Sequence, residues 1–286
     1  MKKLSVVWWR APGGHKPDLV MLGSGVLIIM VCIMAALAPW LAPYSYDAQD
    51  NTALLQLPSS EHWMGTDRLG RDLFSRLLYG TRISMSMGLL TALSALVLGT
   101  VYGAISGYVG GRVDNWMMRW VDIVYALPDL LLIILIMVIV GRGFWGIFLA
   151  LILVSWVTVA RIVRGEVLKH REQSYVEAAR ALGAGHLRIL FRHILPNTFG
   201  PLIVILTFRI PAAILAESTL SFVGLGITPP LASWGTLANE GWAALKFYPH
   251  LIVFPGLFIF FTILAFNFFG DGLRDVLDPQ NRRVYR

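Results

Sequence analysis

Two long apolar stretches of this sequence are separated by the segment Ser174-Tyr-Val-Glu177-Ala-Ala-Arg-Ala-Leu-Gly183-Ala-Gly-His-Leu-Arg-Ile-Leu-Phe-Arg-His-Ile-Leu195-Pro196. Ser174 and Glu177 have the S-x-x-E spacing of a capping box, which predicts that a helix begins immediately after Ser174. Gly183 suits the left-handed conformation that commonly follows a helix. A second helix is predicted over about 186–195, ending before the proline. The segment therefore predicts two short helices joined by a tight turn.

The first of these helices is expected to have an apolar face. Val176, Ala179 and Leu182 recur at helical spacing and form an apolar stripe. Glu177 and Arg180 are three residues apart, so we expect them to pair. Two compact helices between apolar stretches make a poor passive linker, and their shape indicates docking into a soluble partner protein.

The composition indicates an integral membrane protein. Of 286 residues, 56% are hydrophobic and 14% are charged, against about 25% charged in soluble domains. The 15 Phe, 10 Trp and 9 Tyr exclude a disordered chain, because disordered segments are polar and poor in aromatic residues. The net charge of +7 is expected of a membrane protein with basic cytoplasmic loops, so we do not expect nucleic acid as a partner.

The predicted fold class is all-α, with six transmembrane helices. A bilayer core about 30 Å thick requires roughly 20 helical residues to cross it. Six stretches of the sequence meet this requirement: 19–41, 83–109, 116–140, 144–160, 198–222 and 251–269.

The basic residues set the expected orientation. With both termini inside, 17 of the 24 Lys and Arg residues lie on the cytoplasmic side, as the positive-inside rule favours. The predicted segments are a cytoplasmic N-terminal segment (1–18), a first transmembrane helix (19–42), an external loop (43–82), a five-helix core (83–270) containing an internal loop (161–196) and an external segment (224–250), and a cytoplasmic tail (271–286). Trp234, Trp242 and Tyr248 of the external segment suit the boundary between water and lipid, beside a short helix.

Four charged residues within the predicted spans are candidates for a transport pathway. Asp122 and Asp129 are seven residues apart and would share one face of the third helix. Arg209 and Glu217 lie in the fifth span, turned about 80° from each other, so they are not simple partners. Intramembrane charges are costly and suggest a function. The alternatives are an interfacial position for Asp122 and, for Asp129, a helix N-terminus begun by Pro128.

Glycines recur every four residues in the second span, at Gly99, Gly103, Gly107 and Gly111. On one helix they form a smooth stripe that lets two backbones approach closely. The stripe predicts either packing inside this chain or an interface with a second membrane subunit.

The sequence predicts no catalytic or metal site. Gly141-Arg-Gly-Phe-Trp-Gly146 matches G-x-G-x-x-G by letters but lacks a βαβ context. No phosphate-binding loop G-x-x-x-x-G-K-[ST] occurs, so ATP hydrolysis by that route is not expected. The single cysteine, Cys32, can form neither an internal disulfide nor a cysteine metal site. We therefore predict no catalytic residue, no metal ligand and no cofactor bound by this chain.

The segment 174–196 resembles the EAA motif of bacterial ABC-importer permeases. That motif is Glu-Ala-Ala, three residues, Gly, nine residues, Ile, any residue and Leu-Pro. Glu177-Ala178-Ala179, Gly183 and Leu195-Pro196 fall in place, and His193 occupies the Ile position. The resemblance implies that Gly183 is the turn after an ATPase-coupling helix, whose matching residues are Glu177, Ala178, Ala179, Arg180 and Leu182.

Three further segments narrow the resemblance. The segment His62–Arg76, with the sequence HWMGTDRLGRDLFSR, is similar to the first external loop of dipeptide, oligopeptide and nickel permeases. Phe266–Pro279 is similar to the C-terminal end of that group, and Ser221–Gly226 matches it as well. The resemblance covers nearly the whole chain, and the order of the segments is typical of the C-type permease subunit.

This resemblance implies a type I ABC-importer architecture in the bacterial inner membrane. A second homologous permease would complete the pore. Two ATP-binding subunits, which use ATP and magnesium, would each receive a coupling helix, and an external binding protein would deliver the substrate. Peptides are the expected substrate, with nickel or a metal chelate as the alternative within the family. A self-contained ion channel or membrane enzyme is a more distant alternative.

Overall fold

The computed structural model describes residues 19–277, and the predicted segment 1–18 and the tail beyond 277 lie outside the described residues. Its named elements are helices and two π-helical turns. The helices are α1 (Leu19–Leu41), α2 (Leu73–Val109), α3 (Gly111–Tyr125), α4 (Asp129–Val140), α5 (Phe144–Arg171), α6 (Ser174–Ala181), α7 (His186–Ile189), α8 (Leu195–Leu220), α9 (Trp234–Trp242) and α10 (His250–Leu277). The π turns, Leu190–Ile194 and Ser221–Leu225, join α7 to α8 and extend α8.

Five helical runs are each long and apolar enough to cross a membrane: α1, α2, α5, the run His186–Leu225 and α10. They coincide with five of the six predicted spans. However, α2 begins at Leu73 rather than at residue 83, because Asp72 caps it and accepts a hydrogen bond from the Ser75 backbone N–H at 2.8 Å. The irregular part of the predicted loop 43–82 therefore ends ten residues early.

The predicted third span is not one continuous helix. α3 and α4 meet at an angle of 88° across a break of three residues. Pro128 lies at this break in an extended conformation, and a proline disfavours helical geometry in the residue before it. The prediction that Asp122 and Asp129 share one helical face is therefore wrong, whereas the prediction that Asp129 begins a helix after Pro128 is confirmed.

α2 and α5 pack in parallel along the glycine stripe. A Cβ added to Gly99 would lie 2.5 Å from Val159 Cβ, and one added to Gly107 would lie 2.8 Å from the Arg164 carbonyl oxygen. Gly103 lies between these two glycines on α2, and a Cβ added there would likewise collide with α5. These three glycines therefore pack inside the chain.

Gly111 is not part of this stripe. It follows the break after α2, has a φ of +60° and faces open space. The helical repeat that predicted a fourth glycine on the same face ends at Gly110, where the chain turns into α3.

The parallel packing of α2 and α5 requires α3 and α4 to connect opposite ends of these helices. α3 lies at the C-terminal end of α2, where the Tyr102 hydroxyl donates to the Met117 carbonyl oxygen at 2.8 Å. α4 lies nearer the other end, where Met137 packs in one cluster with Met87 and Ile147. The bent pair therefore acts as one span, which gives six crossings within residues 19–277.

The first and last described residues lie at the same end of the helical bundle. α1 and α10 run antiparallel, with the Phe269 ring 3.4 Å from the place where a Cβ added to Gly25 would lie, and with Met21 against Gly272. α10 begins near the loop that precedes α2, where His250 contacts Gly65. Leu19 and Leu277 thus lie at the end opposite that loop.

Candidate functional site

The segment from Glu172 to Gly185 forms a projecting unit, here called the knob, whose one regular element is α6. The predicted capping box is wrong, because Gln173 is the N-cap, no side chain caps the helix and Glu177 is exposed. The left-handed turn is confirmed, since Gly183 has a φ of +81°. The Gly183 N–H donates to the Arg180 carbonyl oxygen at 2.9 Å and the Ala184 N–H to that of Ala179 at 3.0 Å, which is a Schellman motif.

The second predicted helix does not stop before Pro196. It continues from His186 to Leu225 as one helical run. The π turn over Leu190–Ile194 immediately precedes Pro196, which lies in the first turn of α8. A π turn shifts the backbone pairing, and a proline is tolerated in a first turn because its missing N–H needs no partner there. The knob is therefore connected rigidly to the following span.

The predicted apolar stripe of α6 is divided between the inside and the outside. Val176 and Ala179 are buried in a cluster that includes Val167 of α5 and Ile194. Leu182 is 89% exposed. Ala178 is also exposed, as are Glu177 and Arg180, and the predicted ion pair between these two charged residues does not form in the described part of the chain. One face of α6 is thus packed against the rest of the chain, and the other face is exposed.

Polar contacts fasten the two residues that flank the knob, Arg171 and His186, to the end of α2, and one knob residue to α5. Arg171 Nη1 donates to the Tyr108 carbonyl oxygen at 2.9 Å, and the Tyr108 hydroxyl lies 3.0 Å from Nδ1 of His186. The Tyr175 hydroxyl lies 2.9 Å from Nδ1 of His170, and partial burial raises the pKa of the Tyr175 phenol. A force applied to α6 would therefore reach α2, α5 and α8 together.

Asp129 and Arg209 line a shared cleft of about 330 Å³ among α2, α4, α5 and α8. Asp129 is exposed and Arg209 is partly buried. Four residues with hydroxyl side chains also line the cleft: Thr91, which is fully buried, Ser155, Thr158 and Thr219. The structure thus brings together two of the four predicted pathway residues.

The other two predicted pathway residues lie elsewhere. Arg161 Nη2 pairs with Asp122 Oδ1 at 2.5 Å, between α3 and α5. Glu217 is fully buried and accepts hydrogen bonds from Ser221 Oγ at 2.6 Å and Ser84 Oγ at 3.3 Å. As predicted, Glu217 and Arg209 are not partners. Glu217 instead joins α8 to α2.

A buried charge cluster at the opposite end from the knob was not predicted. Arg71 Nε donates to Asp67 Oδ2 at 2.7 Å, and Arg76 Nη1 donates to the same oxygen at 2.6 Å. Both arginines also reach Glu240 of α9. Hydropathy and the positive-inside rule count these arginines only as external charges and say nothing about their partners. The one local feature of the sequence that indicates an ion pair here is the four-residue spacing of Asp67 and Arg71.

The external segment contains the predicted short helix, α9, but Trp234 does not lie at a lipid boundary. Its side chain is completely buried, and Nε1 donates to Thr81 Oγ1 at 3.1 Å. Ser233 and Thr236 form a capping box that begins α9. Trp242 is exposed, as a boundary position requires.

Six crossings, a rigid knob at one end and a cleft between spans that contains two charged residues are features of a membrane transport subunit. Residues 99–283 match the family described as the binding-protein-dependent transport system inner membrane component. Residues 18–58 match the N-terminal transmembrane domain of oligopeptide transport permease C. The chain belongs to this family of binding-protein-dependent permeases, as the resemblance of its segments predicted.

Relatives align over most of their length. The chain is 45% identical to the oligopeptide transport system permease OppC of Bacillus subtilis over 282 residues, covering 99% of this chain and 92% of that one. It is 47% identical to the dipeptide permease DppC of the same organism over 276 residues, covering 96% and 85%. The glutathione permease GsiD of Pectobacterium atrosepticum is 41% identical over 262 residues, covering 91% and 87%.

A solved structure shares the fold. An inward-facing conformation of the MetNI methionine ABC transporter superposes with a TM-score of 0.59 over 72% of this chain and 96% of that chain, at 17% identity. The architecture is therefore that of the type I importer permeases. The family match and the relatives, not this structure, identify the chain as a transport permease.

Proposed function

We propose that this chain forms half of the translocation pathway of an ATP-driven peptide importer. The observation that carries the proposal is the knob, which buries one face of α6 against α5 and the α7–α8 run and leaves Glu177, Arg180 and Leu182 free to contact another protein. Such a surface suits docking into one of two ATP-binding subunits. Those subunits would use ATP and magnesium, and this chain would bind no cofactor.

Movement of the ATP-binding subunits would be transmitted to the pathway by helices of this chain that move as rigid bodies. Closure would push α6, and the contacts of Arg171, Tyr108 and His186 would pass the displacement to α2, α5 and α8. These three helices also line the cleft around Asp129 and Arg209. The cleft would then open alternately to the two sides of the membrane.

The pathway would be completed by a second homologous permease, and an external binding protein would deliver the substrate to the end formed by the loop before α2 and by α9. The knob and both termini would lie in the cytoplasm. The distribution of basic residues supports this orientation.

Peptides are favoured as the substrate over nickel. Three relatives are named as oligopeptide, dipeptide and glutathione permeases. Arg209 lines the cleft, and its positive charge would repel a free divalent cation. Hydroxyl and carboxylate oxygens with one guanidinium group also differ from the nitrogen and sulfur ligands that nickel prefers.

Reconstitution of the complex tests this proposal. The chain would be co-purified from native membranes in mild detergent, reconstituted with its binding protein, and assayed for ATP-dependent uptake of labelled dialanine and of nickel. We expect a second permease and ATP-binding subunits in the complex, and uptake of dialanine only. Uptake of nickel but not of dialanine would show that the substrate is nickel rather than a peptide. Recovery of a folded chain without an ATP-binding subunit would reject the importer role.

A further inference from the structure

The cleft among α2, α4, α5 and α8 contains one positive and one negative side chain that are not bonded to each other. The described residues show no ion pair within 4.0 Å for either Asp129 or Arg209. Asp129 is nevertheless the carboxylate that acts electrostatically on Arg209. Two opposite charges thus share one cleft without cancelling each other by direct contact.

Keeping two charges apart within a membrane span is costly, and two other acids on the described helices have arginine partners. Asp122 pairs with Arg161, and Asp114 pairs with Arg164 at 2.6 Å. An intramembrane charge without a partner needs a solvated cavity or a charged ligand. The arrangement of Asp129 and Arg209 therefore suits a ligand that has a charge of each sign.

A peptide has such charges at its two ends, whatever its side chains are. An importer that accepts many peptides can use only the groups that they share, namely the terminal amine, the terminal carboxylate and the backbone amides. A guanidinium binds a carboxylate through a planar fork of donors, and a carboxylate accepts hydrogen bonds from an ammonium group. Ser155 and Thr158, which line the cleft and are only partly buried, can supply hydroxyl donors and acceptors for peptide amides.

We infer that the cleft is a binding site for zwitterionic peptides in transit, in which Arg209 holds the terminal carboxylate and Asp129 the terminal amine. This inference rests on the proposed function, because it assigns substrate contacts to the pathway of a peptide importer. It makes Arg209 and Asp129 specificity-determining residues that distinguish free peptide ends from blocked ones.

Thiol protection tests the inference without the binding protein, whose own selectivity would otherwise intervene. Cys32, on the exposed surface of α1, is replaced by alanine and Ser155 in the cleft by cysteine. The rate at which iodoacetamide alkylates this cysteine is measured in the assembled complex with increasing dialanine, dialanine amide or N-acetyl-dialanine. The concentration that halves the rate reports occupancy of the cleft.

In the Arg209→Gln variant, we expect the half-protecting concentration to rise about tenfold or more for dialanine and less than about twofold for dialanine amide. In the Asp129→Asn variant, the half-protecting concentration should rise for dialanine but not for N-acetyl-dialanine. Arg209→Lys, which keeps the charge, should recover most of the protection. Thr219→Val, which removes an uncharged group from the same cleft, should affect free and blocked peptides equally.

Two results would overturn the inference while leaving the importer role intact. One is an equal change for free and blocked peptides in the charge variants. The other is uptake of dialanine by the full system without any protection of the cysteine by dialanine. Absence of dialanine uptake by the wild-type system, together with absence of protection in the Cys32→Ala, Ser155→Cys complex that keeps Arg209 and Asp129, would instead reject the peptide-importer proposal, and the inference with it.

Discussion

Gly103 lies in the contact between α2 and α5, where an added Cβ would collide with the carbonyl oxygen of Ala160. Backbone atoms cannot swing away as a side chain can, so the helices would have to separate. We expect Gly103→Ala to destabilise the protein by about 1–3 kcal/mol and to lower its Tm by several degrees. Thermal unfolding of the purified protein in detergent measures this.

Gly165→Ala is the matched control, because it makes the same substitution within the partner helix α5. No atom lies within 4 Å of a Cβ at Gly165, and alanine favours a helix over glycine by roughly 1 kcal/mol. Its Tm should stay the same or rise. If both variants melt at the wild-type temperature, the α2–α5 packing described above is incorrect.

A substitution at Glu177 tests docking to the ATP-binding subunits without disturbing the fold. It is exposed and has no hydrogen-bond partner for its carboxylate among the described residues. We therefore expect Glu177→Ala to leave the Tm unchanged within about 1 °C, since surface substitutions of this kind cost little. The same variant should recover less of the ATP-binding subunits in co-purification, whereas Glu61→Ala, at an exposed acid of the loop before α2, should recover the normal amount.

At the scale of elements, Arg76 connects the loop before α2 to α9. It is 1% exposed and donates hydrogen bonds to both Asp67 and Glu240. Arg76→Met would leave the buried Asp67 with less compensation, and loss of one partner of a buried pair costs about 3–5 kcal/mol. We expect a large fall in Tm, while Arg82→Met, at an exposed arginine of the same helix, should change it little.

The turn that ends α6 is the element on which coupling depends. Gly183 has a φ of +81° but faces open space, so a substitution there tests backbone conformation without a steric clash. A β-branched residue is strained in this region by about 1–3 kcal/mol. We expect Gly183→Val to abolish peptide uptake and the stimulation of ATP hydrolysis by loaded binding protein. Gly183→Asn should retain both, because asparagine tolerates the left-handed conformation, and equal activity of the two variants would contradict the coupling role.

Over the whole molecule, features set by a few neighbouring residues were predictable from the sequence. The Gly183 turn and the helix start at Asp129 depend on local backbone preferences, and five spans depend on local hydropathy. The capping box at Ser174 was also a local pattern, but the chain enters α6 through Gln173 with no side-chain cap. The pattern around Ser174 therefore predicted the position of α6 correctly but not the way in which α6 is capped.

Features that depend on distant residues were not predictable. Glu240 lies 164 residues from Arg76, so nothing near either residue indicates that they meet. The glycine stripe predicted close helix packing but could not identify α5 as the neighbour. The prediction for Asp122 and Asp129 assumed an unbroken helix, and the 88° bend between α3 and α4 separated Asp129, which lines the cleft, from Asp122, which pairs with Arg161.

The same bend determines the topology of the entire chain, which thiol labelling can test. If α3 and α4 cross the membrane together, then the loop before α2 and the knob lie on opposite sides. If the pair instead returned to the face it left, an even number of crossings would place them on the same side. The parallel packing of α2 and α5 requires the first arrangement.

In a Cys32→Ala background, Ser60→Cys places a thiol on the exposed loop before α2 and Leu182→Cys places one on the knob. A membrane-impermeant maleimide should label residue 60 in right-side-out vesicles and residue 182 only in inside-out vesicles. Labelling of both from the outside would show that α3 and α4 form a re-entrant hairpin. Labelling with the two sides exchanged would keep six crossings but place the knob outside the cell, where no ATP-binding subunit could dock.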